Sequence, residues 1–439
     1  MNGTTRVPGD KSISHRALIF GALSVGETVV TGLSQGDDVA RTEAALRHLG
    51  AEIWAPEADT RVIFGRGVGG LCEPASALDL GNSGTGARLL MGMVASHHLT
   101  AHFTGDASLS NRPMDRVILP LRQMGADISA RDGNLLPLTV AGTRSPVPIE
   151  YVLPTPSAQV KSAILLAALN TPGDTSVIEP VPSRDHTERM MAHFGATITE
   201  REDGDGRRRI TVKGEAELTG RPVSIPGDPS SAAFLIAAAL AIPTSQVTIQ
   251  NVGTNSLRTG FFDTLREMGA NIELSSIQTV GGEPVADVTV KHSRLIGIHV
   301  PPERAPTMID EYPVLAVLAA SAEGQTVVRG VSELRIKESD RISAMTTGLR
   351  ACGVTVDEFE DGFAVTGLGR PVPGGAAVHT YLDHRVAMSF LVLGMTSEEP
   401  IVVNGAETID TSFPEFMDLL TGLGAEVSQK PWTRNDYRD

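Results

Sequence analysis

The sequence predicts an α/β protein of two similar domains, each built from three βαβαββ units, and three observations carry that reading. A polar turn followed by a long apolar helix recurs six times. Ser12, Ser83, Ser157, Ser230, Asp310 and His384 mark the turns at intervals of 71, 74, 73, 80 and 74 residues. A helix end closed by glycine recurs with the same period: Gly50, Gly125, Gly195, Gly269, Gly353 and Gly424 lie 75, 70, 74, 84 and 71 residues apart. Glycine just past a helix end takes the left-handed cap without steric cost. Finally, Val7-Pro8-Gly9-Asp10 is echoed halfway along by Ile225-Pro226-Gly227-Asp228.

In the first unit, residues 12–23 read as an apolar helix and 27–31 as a β-branched strand. Residues 38–49 read as an amphipathic helix with Val39, Leu46 and Leu49 on one side, and 52–54 and 61–64 as strands. Counting a strand before Ser12, the order is βαβαββ. The third unit repeats it with helices at 157–169 and 187–194 and strands at 175–178, 197–199 and 209–212. The period is too long for a solenoid repeat, so each unit is a compact sub-domain. A chain of 439 residues exceeds one ordinary core. Three units per domain put the boundary in the breaker-rich stretch 220–229, and the paired Pro-Gly-Asp segments read as crossovers.

The net charge of -15 argues against a general nucleic-acid surface, which needs a basic stripe to displace counterions. Any anion site must be local. Cys72 and Cys352 lie in different units and form no C-x-x-C pair, which disfavours a disulfide framework or a zinc site. No apolar run reaches membrane-spanning length, the longest being 232–242, and the N-terminus has no signal-peptide core. A cytoplasmic location is the expectation. The charged tail 430–439 is expected to fray.

The six turns are the main functional clue. A helix N-terminus leaves backbone N–H groups unpaired and attracts anions through them and the helix dipole. Ser, Asp and Asn at one such turn are ordinary caps. Lys11 and Arg16, then Arg88, Arg112 and Arg116, then Gln159, Lys161 and Arg184, then Lys337, Arg341 and Arg385 accompany these turns. Arginine is the preferred bidentate partner of phosphate and carboxylate, so the set implies a small molecule with several negative charges; the alternative is that half of these are solvated surface charges. Two carboxylates stand among the cations: Asp310 at a turn, and Glu338 within Lys337-Glu338-Ser339-Asp340-Arg341. Either can exchange protons with a substrate or serve as an ordinary cap or ion pair. Gly9-Asp10-Lys11-Ser12 lacks the earlier glycine of a P-loop, and 81–86 lacks the dinucleotide-binding spacing. His97, His98 and His102 have no acidic third ligand at metal spacing and are read as structural.

Four longer motifs are specific: Pro8-Gly9-Asp10-Lys11-Ser12-Ile13-Ser14-His15-Arg16, Gly81-Asn82-Ser83-Gly84-Thr85, Arg112-Pro113-Met114 and Leu382-Asp383-His384-Arg385. Together they resemble the 5-enolpyruvylshikimate-3-phosphate synthase family, from Val7 to about Leu423. Pro156-Ser157-Ala158-Gln159-Val160-Lys161 and Arg184-Asp185-His186-Thr187-Glu188 are similar to its class II branch. The resemblance implies the enolpyruvyl transferase fold, with ligands in the interdomain cleft. One domain would span 10–227 and the other 1–9 plus 228–439, with crossovers near 8–10 and 226–228.

It also implies transfer of the enolpyruvyl group of phosphoenolpyruvate to the 5-hydroxyl of shikimate 3-phosphate, on the route to chorismate and the aromatic amino acids. Phosphate is released, and no metal or organic cofactor takes part. By motif, Lys11, Ser12, Arg16, Ser157, Ala158, Gln159, Arg184, Asp310 and Lys337 would hold shikimate 3-phosphate. Lys11, Gly84, Arg112, Gln159, Arg341 and Arg385 would enclose phosphoenolpyruvate. Lys11, Asp310 and Glu338 would be catalytic: Asp310 as base for the hydroxyl, Glu338 as proton carrier at the methylene, Lys11 as anchor and alternative acid. The turn at Asp228 would serve mainly as a crossover.

The pattern departs from the family at Thr411-Ser412-Phe413-Pro414, where many members have a lysine. Tolerant class II enzymes tend to have alanine where this chain has Gly84, so glyphosate is expected to compete with phosphoenolpyruvate. A monomer is expected, with small molecules as its partners and neither nucleic acid nor membrane. One rival reading is a transferase acting on UDP-N-acetylglucosamine, but 105–116 lacks that family's reactive cysteine. The other is a non-catalytic phosphometabolite-binding protein.

Overall fold

Six apolar helices form the interior. Lys11–Ala22, Gly84–Ala95 and Ala158–Ala168 pack in one half, and Pro229–Ala241, Tyr312–Ser321 and His384–Gly394 in the other. Because their apolar residues lie all round rather than on one stripe, they must be covered on every side. In Pro229–Ala241 every residue from Pro229 to Leu240 is buried. The computed structural model describes residues 1–204 and 206–427, so the tail from Lys430 lies outside the described residues. Two hydrophobic cores result. One runs from Ile13 to Ile225, and the other joins Met1 and Val7 to residues between 232 and 425.

Amphipathic helices and sheets wrap these interiors. Asp37–His48 begins and ends within a residue of the predicted helix, and His186–Phe194 likewise. In three of the five four-stranded sheets among the described residues the inner helix joins two parallel strands, and two antiparallel strands follow. In the second unit these are Leu78–Asp79, Thr100–Thr104, Leu135–Ala141 and Asp127–Arg131, in spatial order. The six repeated glycines all take the left-handed conformation, with φ between 83° and 103°. Among the described residues the sixth unit has only two strands, Ala377–His379 and Val402–Asn404.

The strand expected before Ser12 does not join the first unit. Asn2–Thr5 instead pairs with Gln246–Gly253 in the other half, and Val223–Ser224 takes the vacant place beside Glu27–Thr31. The halves thus exchange strands through the two Pro-Gly-Asp segments. Those segments pair antiparallel, Asp10 N donating to Pro226 O at 2.8 Å and Asp228 N to Pro8 O at 2.9 Å. Glycine is required at this crossing: a Cβ on Gly9 would sit 1.9 Å from Gly32 O. No described helix is long and apolar enough to cross a membrane.

Candidate active site

All six inner helices begin at one cleft of about 570 Å³ between the halves. Five starts carry a side-chain cap. Asp10 accepts from Ile13 N at 2.9 Å, Ser83 from Gly86 N at 3.1 Å and Ser157 from Val160 N at 3.4 Å. Asp228 accepts from Ser230 N at 2.7 Å and Asp383 from Arg385 N at 2.9 Å. The fifth helix, Tyr312–Ser321, has no such cap, and the polar residue at its turn, Asp310, is committed to cations instead. Each cap takes up one N–H of its helix and leaves others available to a ligand.

Lys11, Ser12, Arg16, Gly84, Arg112, Ser157, Ala158, Gln159, Arg184, Asp310, Lys337, Glu338 and Arg385 all line the cleft. Arg341 is set behind its wall, fully buried, and reaches Asp383 Oδ2 at 2.8 Å, Glu338 Oε2 at 2.5 Å and Asp310 Oδ1 at 3.4 Å. Asp310 also takes Arg184 at 2.6 Å across the cleft, and Arg385 Nε at 4.0 Å. Lys11 Nζ pairs with Asp38 at 2.9 Å. Arg112 donates to Asn82 Oδ1 at 2.5 Å and Ser108 Oγ at 2.9 Å, and lies 3.9 Å from Glu338. Gln159 bridges Arg88, at 3.0 Å, and Thr85 Oγ1, at 2.8 Å.

Burial alone would raise the Asp310 carboxyl, but Arg385, Arg184, Lys337 and Arg341 outweigh it and hold it well below the usual carboxylate range. Glu338 follows the same logic: burial raises it, while Arg341, Arg112 and Lys11 together push it well below. Burial lowers Lys337, and the neighbouring Arg341 lowers it further against the pull of Asp310. Burial, Lys11 and Arg385 push His384 well below the normal imidazole range, which keeps it neutral. The cleft therefore holds two ionised carboxylates inside a cage of cations. Such a site binds polyanions that can displace carboxylates from shared arginines.

Arg88, Asp38 and Arg258 are among the cleft residues given no role from the sequence. Arg88, marked there only as one of the cations near the turns, is one turn beyond Gly84 on the same helix face, and burial draws its guanidinium down to about 10. Asp38 and Arg258 have no motif. Arg258 binds Asp228 Oδ1 at 3.2 Å and Ser230 Oγ at 2.9 Å, and Ser230 in turn bonds Glu311. Asp228 and Ser230 line the cleft, so the fourth turn is more than a crossover.

Lys161 moves the opposite way. It faces the interior and bonds Glu179 at 3.0 Å and Glu188 at 2.7 Å, because three residues past Ala158 the helix presents its buried side. Arg16 lines the cleft, yet all three of its guanidinium nitrogens bond protein: Thr187 at 2.6 Å, Ser12 O at 2.8 Å and Ser162 at 2.8 Å. His97 serves the backbone, with Nδ1 2.7 Å from Met93 O and Nε2 accepting from Gly69 N at 3.0 Å. Thr411 bonds Thr408 O at 2.7 Å and does not line the cleft.

A profile of the family described as EPSP synthase (3-phosphoshikimate 1-carboxyvinyltransferase) matches residues 1–420. The chain is 60% identical over 426 residues to the 3-phosphoshikimate 1-carboxyvinyltransferase of Paramagnetospirillum magneticum, covering 97% of this chain and 96% of the relative. It is 55% identical over 432 residues to that of Rhodospirillum rubrum, covering 98% and 96%. The fold superposes on EPSP synthase from Acinetobacter baumannii with a TM-score of 0.85, at 44% identity over 98% of this chain and 97% of that one. The enolpyruvyl transferase NikO from Streptomyces tendae shares the fold with a TM-score of 0.73 at 18% identity, covering 97% and 95%. Repeat, cleft and relatives agree: the chain belongs to the EPSP synthase family, the 3-phosphoshikimate 1-carboxyvinyltransferases.

Proposed function

We propose that this chain transfers the enolpyruvyl group of phosphoenolpyruvate to the 5-hydroxyl of shikimate 3-phosphate and releases phosphate. The observation that carries the reading is the caging of Asp310 and Glu338 by arginines on both walls of one cleft. The start of Ala158–Ala168, with Ser157, Gln159 and Arg184, takes the shikimate phosphate. Lys11, Ser12, Arg16 and Lys337 meet the rest of that ligand. Gly84, Arg112, Arg341, Arg385 and Gln159 enclose phosphoenolpyruvate, with Lys11 between the two substrates.

Ligand anions compete with Asp310 and Glu338 for the same cations. Once their positive partners are shared, both carboxylates hold protons more tightly, so substrate binding itself makes Asp310 a better base. Asp310 takes the 5-hydroxyl proton as that oxygen bonds to the phosphate-bearing carbon. The methylene carbon receives a proton, giving a tetrahedral intermediate; the donor is Glu338, after it takes up a proton from solvent as the bound anions draw its cations away, or the Lys11 ammonium. Phosphate then leaves with the C–O bonding pair, and Glu338 takes back a methyl proton to restore the double bond. The cations stabilise charge at fixed positions, and a closed cleft keeps water from the cationic carbon.

The test is phosphate release from phosphoenolpyruvate with either shikimate 3-phosphate or UDP-N-acetylglucosamine. Release with shikimate 3-phosphate alone is expected. Release only with the sugar nucleotide overturns the reading, and binding without release leaves a phosphometabolite-binding protein.

A further inference from the structure

The segments 156–161 and 184–188 are far apart in sequence, yet their last residues meet inside the first half. Lys161 and Glu179 are fully buried and Glu188 nearly so. The Lys161 ammonium donates to Glu179 Oε2 at 3.0 Å and Ser183 O at 3.2 Å, and forms an ion pair with Glu188 Oε1 at 2.7 Å. Ser183 also donates its hydroxyl to Glu179. Arg208 closes the cluster, 3.5 Å from Glu179 and 3.8 Å from Glu188.

One residue along each helix lies a second link. Ser162 Oγ is 2.6 Å from Thr187 Oγ1, and both accept from Arg16. Ala158–Ala168 and His186–Phe194 are therefore joined at two levels. The upper level holds Arg16 at the cleft, and the lower level fixes the Ser183 carbonyl immediately before Arg184.

An ordinary core ion pair is the bland account. It explains little, because a fully buried pair recovers about what its desolvation costs, and apolar residues of similar volume would serve stability as well or better. What charges add here is direction: Lys161 holds the Ser183 carbonyl and Glu179 holds its hydroxyl, which ties down the loop that bears Arg184. We propose that Lys161 and Glu188 are positioning residues that hold Arg16, Arg184 and the start of Ala158–Ala168 in register for the phosphate of shikimate 3-phosphate. This rests on the ligand assignment of the preceding section. Neither residue touches substrate, and neither bears on phosphoenolpyruvate.

The experiment compares Lys161→Met, the neutral pair Lys161→Met/Glu188→Met, Ser183→Ala and Arg184→Ala. Calorimetric binding of shikimate 3-phosphate, KM for each substrate and the thermal midpoint are measured. Lys161→Met strands buried carboxylates and lowers the midpoint. The neutral pair recovers the midpoint but still binds shikimate 3-phosphate about tenfold more weakly, with KM for phosphoenolpyruvate changed less than about twofold.

Ser183→Ala keeps every charge partnered and weakens the same ligand by roughly threefold. If Lys161→Met does not fold, the neutral pair and Ser183→Ala decide. A folded neutral pair with unchanged shikimate 3-phosphate affinity, or one that weakens both substrates equally, overturns the proposal. Should Arg184→Ala also leave that affinity unchanged, the ligand assignment itself fails.

Discussion

Arg184 Nη2 sits 2.6 Å from Asp310 Oδ2, an ion pair that joins the two walls of the cleft. The arginine is a proposed phosphate ligand and the aspartate the proposed base. A phosphate that draws on Arg184 therefore loosens Asp310 in the same step, linking binding of one substrate to the basicity needed for the reaction.

Asp310→Asn should lower kcat by about 10²- to 10⁴-fold, the range for loss of a positioned proton acceptor. Shikimate 3-phosphate affinity should not fall, because Arg184 is then free of its competitor. Calorimetry with steady-state kinetics checks both, and near-normal kcat would remove the base role. Glu338→Gln should behave alike, losing turnover far more than binding.

Stability should fall in acid through these two groups. Both are held below their ordinary values of 3.8 and 4.5, so their contribution is present above those values and lost as pH drops through the lower folded ones. Urea unfolding between roughly pH 5 and 2 should show wild type losing stability more steeply than Asp310→Asn/Glu338→Gln. Parallel curves would mean that the cations do not hold these carboxylates down.

Gly84→Ala would place a Cβ 2.7 Å from Arg88 Nη1 and 3.2 Å from Arg112 Nη1. Both contacts are to ends of flexible side chains, so the protein should fold while the arginines shift. KM for phosphoenolpyruvate should rise by about three- to tenfold and glyphosate inhibition should weaken more than that. Glyphosate that never competes with phosphoenolpyruvate, or unchanged inhibition in the variant, would refute the steric account.

Asp383→Asn breaks a pair in which both side chains are buried, Arg341 Nε lying 2.8 Å from Asp383 Oδ2. Leaving that guanidinium with one partner fewer should cost about 3–5 kcal/mol. The urea midpoint should fall accordingly, although the asparagine can still cap Arg385 N. A change below about 1 kcal/mol would show that Glu338 and Asp310 compensate fully.

Much of the fold was legible because burial is periodic. Helices that are apolar all round had to be interior, and glycines at the ends of the amphipathic helices had to cap, so Asp37–His48 and His186–Phe194 were placed within a residue. Motifs carried the cleft, and every residue so named lies on it except Arg341, one layer behind. Lys161 was misplaced for the reason Arg258 was missed. Spacing along a chain does not say which face of a helix looks outward, nor which charge in another unit will be near.

The sequence by itself determined the repeat, the six helix starts, the Pro-Gly-Asp crossings and the family. Each is written in local periodicity or in contiguous motifs. Only the tertiary structure decided which strands Asn2–Thr5 and Val223–Ser224 lie beside, that Lys161 pairs with Glu188 rather than a ligand, and that Arg341 clamps Asp310, Glu338 and Asp383 together. Those pairings depend on distances between residues from different units. Electrostatic energy follows such distances through space, whereas sequence records only separation along the chain.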